Sequence, residues 1–150
     1  MKLIDAVTHY RDERDKILNH QRQLDELSDE FHQKAQAIKW GSDEFEKLGA
    51  DYMHEVSTVL AGIAEIETAR IVRKAHHWRV PVPTTPFGTE DDNDFWQWHK
   101  PHGRHYLSEQ GMSALRREIY NEWEMWSKPW LSWGAITISV VSLAVALFKS

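Results

Sequence analysis

His99, His102 and His105 recur at intervals of three, and imidazoles at regular spacing are the side chains that most readily share a metal ion. On a helix this spacing would bring all three to one side, but Pro101 and Gly103 oppose a helix here. No fixed fourth ligand follows from the pattern, although Asp94 is close along the chain. Immediately upstream, Glu90-Asp91-Asp92-Asn93-Asp94 has the acidic alternation of a calcium loop without its turn glycine or distal glutamate. The alternatives to metal chemistry are loop histidines and a solvated acidic turn.

Other chemistries lack their residues. The chain has no cysteine, hence no disulfide, no thiolate nucleophile and none of the common structural zinc sites. It has no P-loop, dinucleotide fingerprint, nucleophile elbow or His-Glu-x-x-His. Glycine, at 7 residues, is too scarce to suggest phosphate-cradling loops. The sequence therefore predicts a non-enzymatic protein with no catalytic residue and no cofactor, in which His99, His102 and His105 are the metal candidates.

Those histidines are carried by a short irregular stretch. Phe95-Trp96-Gln97-Trp98-His99 alternates as a strand does, and Gly103-Arg104-His105-Tyr106-Leu107 reads as its partner across a Lys100-Pro101-His102 turn. Val80-Pro81-Val82-Pro83-Thr84-Thr85-Pro86 upstream predicts an extended, rather stiff linker.

The N-terminal half is helical. Leu3, Tyr10, Ile17, Leu24, Phe31 and Ile38 recur every seven residues, with Val7, Leu27 and Ala35 widening the stripe. Gly41 suits a left-handed helix end, and Asp43 with Glu46 suits a capping box. A second helix follows with Phe45, Leu48, Tyr52, Val56, Val59, Leu60, Ile63 and Ile66 on one side. The tight link predicts a long antiparallel, coiled-coil-like hairpin over 1–79. Residues 1–69 hold 8 basic against 15 acidic side chains, after which Arg70, Arg73, Lys74 and Arg79 form a basic end. These cations either complement the helix dipole or rest on anionic lipid.

After the 80–107 linker, Ser108 caps a further amphipathic helix over 108–128, with Met112, Leu115, Ile119, Trp123 and Trp126 on its apolar face. Pro129 is expected to bend this helix or start a new one. Trp130 to Phe148 then contains no charged residue; its 19 residues would rise roughly 28 Å, close to a bilayer's hydrocarbon thickness. Trp123, Trp126, Trp130 and Trp133 share a helical face, as at a water–lipid boundary, and Lys149 closes the run. Ala135, Ser139, Ser142 and Ala146 form a small-residue stripe that permits close approach of a second helix.

These features predict a mostly α protein with a single C-terminal transmembrane anchor at 130–148. Arg116, Arg117 and Lys128 against Lys149 put the N-terminal part in the cytoplasm. Asp5 and His9 break up the first apolar residues, so no signal peptide is expected and insertion would start from the far end. A net charge of -5, with 27% charged residues, argues against nucleic acid as the partner. The expected partners are the lipid bilayer and a second copy or another helical protein.

Tyr106-Leu107-Ser108-Glu109-Gln110-Gly111, then Leu115-Arg116 and Ile119, tryptophans and a terminal apolar helix, resembles a group of small bacterial membrane proteins of unknown function. The likeness spans about the last third of the chain and implies an inner-membrane setting with no known activity. The Leu107-to-Leu115 run is also similar to the strand-to-helix step of winged-helix regulators, against which the acidic charge and the apolar end both weigh. The expected function is a membrane-tethered helical protein that self-associates or recruits a partner. The alternatives are a membrane-active effector (channel, lysis factor or toxin) and a histidine-based metal site or enzyme.

Overall fold

The computed structural model describes residues 2–87 and 92–149. Gly88, Glu90 and Asp91 lie outside them, as do the side chains of Leu3, Val7, Ala146 and Lys149. The chain is mostly helical, with three helices and one two-stranded antiparallel sheet.

The heptad stripe forms α1 (Lys2–Ala37), and α2 (Asp43–His77) returns alongside it. Gly41 in the connection has φ 75°, where a Cβ would be strained. The cap is Ser42 rather than Asp43: its Oγ accepts the Phe45 N–H at 3.3 Å. That leaves Asp43, Glu44 and Glu46 in the first turn, where the helix dipole favours carboxylates. Phe31 stacks on Tyr52 at 4.5 Å near the closed end, whereas Tyr10 meets Arg70 and Glu13 meets Arg73 near the open end, so the helices run antiparallel. Midway, Gly62 admits the His20 ring: a Cβ at Gly62 would lie 2.5 Å from His20 Nε2.

The hairpin seam is thinly buried. Its most enclosed side chains are Glu13 on α1 and Ala61, Thr68, Ile71 and Ala75 on α2. The core sits instead at the open end. There Ile71 and Ala75 meet Val80, Trp96, Leu107 and Leu115, with Met112 and Ile119 against them. Leu115 is fully enclosed, a burial that contributes about 1.5–3 kcal/mol. The Val80-Pro81-Val82 stretch has no regular secondary structure, and Val80 and Val82 pack on the core.

β1 (Trp96–His99) and β2 (Arg104–Leu107) pair with Trp96 opposite Leu107 and His99 opposite Arg104. The turn places Gly103 at φ 57°. Trp96 and Leu107 face the core, and Leu107 N–H donates to Thr68 Oγ1 on α2 at 2.9 Å. Ser108 caps α3 (Glu109–Lys149), accepting the Gly111 N–H at 3.0 Å.

Two expectations are corrected along α3. The helix runs through Pro129 without interruption, so the amphipathic segment and the apolar end are one element. Proline removes one hydrogen bond and crowds the preceding turn, at about 3 kcal/mol. A helix of 41 residues absorbs that locally.

The second correction concerns the membrane. Among the described residues no helix is long and apolar enough to cross one, which overturns the single-pass anchor at 130–148. The uncharged side chains described after Lys128 run from Pro129 to Ser142, plus Val145. Within that described stretch Ser132, Thr137, Ser139 and Ser142 lower the apolar character that a crossing needs. The membrane localisation, the cytoplasmic placement by the positive-inside rule and the inner-membrane setting lose their basis with it. So does the reading of Trp123, Trp126, Trp130 and Trp133 as a water–lipid belt closed by Lys149.

Candidate functional site

The β-turn is fixed by short polar links. Asn93 Oδ1 accepts the N–H groups of Phe95 and Trp96 at 2.9 and 2.8 Å, an Asx turn that starts β1. Asp92 Oδ1 accepts the Trp98 N–H at 2.6 Å, and Ser108 Oγ donates to the Asp94 carbonyl at 2.6 Å. The described residues of the acidic turn, Asp92, Asn93 and Asp94, therefore serve as backbone ties.

This framework separates the three histidines. Strand alternation puts His99 on the face that carries Tyr106, and His105 on the other face beside Trp98, their rings 4.9 Å apart. His102 sits in the turn with Nδ1 2.7 Å from the Tyr106 hydroxyl and 3.6 Å from Glu65 Oε2 on α2. The His99 ring lies 5.3 Å from that of Tyr106. Among the described residues no three histidine or carboxylate groups are placed to hold a metal ion.

What the turn assembles is a hydrogen-bonded group of Glu65, His102 and Tyr106, with His99 alongside. Burial pushes His99 below its usual range, the charge of His102 adds to that, and Asp92 opposes it. Burial also raises Tyr106, followed by the charge of Glu65. Both shifts favour neutral forms. The group couples the β-hairpin to α2.

The basic end divides in two. Arg73 is paired with Glu13, whose other neighbour is His9 Nε2 at 3.2 Å. Arg70 donates to the Tyr10 hydroxyl at 2.8 Å with its guanidinium 4.4 Å over that ring. These two arginines serve the hairpin seam. Lys74 and Arg79 are exposed and form no ion pair among the described residues.

The uncharged end of α3 is exposed on every side that is described. Ile136, Ile138, Val140 and Val141 retain 53 to 69% of their surface. Hydroxyls on the small stripe are satisfied within the helix: Ser139 Oγ donates to the Ala135 carbonyl at 2.9 Å, and Ser142 Oγ to Ile138 at 2.8 Å.

Sequence reasoning missed Glu13, His20, Glu65 and Thr68. A signal for the first two was present. Each lies three residues after an apolar heptad position, Tyr10 and Ile17, where a second apolar residue is the norm. Glu65 and Thr68 find their partners forty or so positions away, beyond any local pattern. No family model matches the chain, and no curated protein or solved structure is similar enough to count as a match.

Proposed function

We propose that the chain is a non-enzymatic helical protein that self-associates through the uncharged end of α3. The observation that carries this reading is the exposure of Ile136, Ile138, Val140 and Val141 around one helix. A helix apolar on all sides is covered in its working state, and contiguous exposed apolar surface marks an interaction site. None of the other described residues covers it. A second copy supplies a helix of the same length and character, and no charge from Pro129 to Phe148 repels it. Ala135, Ser139 and Ser142 allow close approach, and their internally bonded hydroxyls are not left unsatisfied by contact.

Sedimentation equilibrium of the full chain in mild detergent tests this. The expected result is a dimer or larger oligomer that Ser139→Leu with Ser142→Leu weakens. A strict monomer at micromolar concentration, or an oligomer indifferent to that double change, would overturn it. A complex formed only with a different helical protein would replace self-association by recruitment.

A further inference from the structure

Where the open end of the hairpin meets α3, the helices leave a cleft of about 920 Å³. We propose that this cleft binds an aromatic anion: a planar ring bearing a sulfonate, carboxylate or phosphate. The proposal does not rest on self-association, since none of the cleft residues belongs to the uncharged end of α3.

Two features of its lining define the ligand. The first is charge. Arg70, Arg73, Lys74 and Arg116 line the cleft against two carboxylates, Glu13 and Glu67, in a chain whose net charge is -5. Arg73 is neutralised by Glu13, and Arg70 is held on Tyr10. Lys74 on α2 and Arg116 on α3 remain, and among the described residues neither forms an ion pair. Two cations on separate walls of one cleft suit an anionic group, which the arginine can grip through two N–H groups.

The second feature is aromatic surface. Trp78, Tyr120 and Trp123 line the same cleft. Tyr120 and Trp123 lie 5.8 Å apart, and 57% and 44% of their surfaces are open. A ligand ring stacking there removes exposed aromatic surface from water. An inorganic anion would leave these rings wet. A neutral aromatic would dehydrate Lys74 and Arg116 with nothing to replace the lost water. Only a molecule that combines the two properties satisfies both walls, and the volume is that of a small-molecule pocket.

Naphthalene-1-sulfonate is a suitable probe, titrated into the full chain while the indole N–H signals are followed by NMR. Trp78→Phe and Trp123→Phe assign the two relevant signals. Saturable shifts of both are expected. Lys74→Gln and Arg116→Gln should each weaken binding about tenfold, the usual effect of losing one charge-assisted contact. Arg117→Gln, one position away, should change nothing. Equal affinity for neutral naphthalene-1-sulfonamide or for inorganic phosphate would overturn the proposal. So would shifts confined to Trp130 and Trp133, which report the association surface instead. Each variant is first matched to the parent by circular dichroism and melting. Should Arg116→Gln fail to fold, Lys74→Gln alone decides, and unchanged affinity in it overturns the proposal.

Discussion

Thr68 on α2 accepts the backbone N–H of Leu107 on β2 at 2.9 Å, and both residues are buried. One hydroxyl thus joins the hairpin to the small sheet across 39 positions of sequence. Thr68→Val keeps the shape and leaves the Leu107 N–H without a partner. The expected loss is about 1–3 kcal/mol by urea unfolding, with Thr68→Ser losing less because it retains the acceptor.

Gly111 has a similar structural duty. A Cβ there would lie 2.4 Å from the Phe95 carbonyl oxygen and 3.0 Å from Phe95 Cα, which are backbone atoms held by the Ser108 N–H and the Asn93 side chain. Gly111→Ala is expected to destabilise by roughly 1–3 kcal/mol, as overpacking does. Gly49 is the contrast: it is helical with nothing within 4 Å, so Gly49→Ala should stabilise by about 0.5–1 kcal/mol. Thermal melts of the two variants should move in opposite directions.

Stability should depend on pH through the β-turn. His99 binds its proton less tightly when folded than at its ordinary 6.5, chiefly because it is buried. Its contribution is therefore complete above 6.5 and lost as pH falls through the lower folded value. Tyr106 is raised above 10.0, again chiefly by burial, so its contribution is complete below 10.0 and lost as pH rises through the folded value. The urea midpoint should fall on the acid side of 6.5, and His99→Gln should remove part of that fall. A midpoint flat across the acid range would refute the assignment.

Pro129 costs α3 a hydrogen bond without ending it. Pro129→Ala should stabilise α3 by up to about 3 kcal/mol, seen as helical signal that persists to higher temperature. No gain would mean that the carbonyl a turn earlier is already satisfied.

How much of this was legible follows from range. α1 and α2 were readable because Leu24, Phe31, Phe45 and Tyr52 repeat at helical spacing, which is local information. The paired strands were readable from their alternation around Pro101 and Gly103. The cap moved from Asp43 to Ser42 because both side chains offer an oxygen and only the backbone path decides between them. The histidines were legible as a row but not as two faces, since Pro101 and Gly103 replace helical spacing with strand alternation. The stretch 130–148 was legible as apolar. Among the described residues no helix qualifies as a membrane span, and the hydroxyls of Ser132, Thr137, Ser139 and Ser142 interrupt its apolar surface. Glu65 with His102, and Thr68 with Leu107, are long-range pairs and left no local trace.

The enclosed side chains cluster at the open end of the hairpin, while the Phe31–Tyr52 end relies on a few stacked rings. The two helices are therefore clamped at their open end and held at the other by a short turn and those rings. Amide protons near the turn should exchange with solvent first, those of Ile71 and Leu115 last, and the gap between those rates measures how independently the turn end can fray.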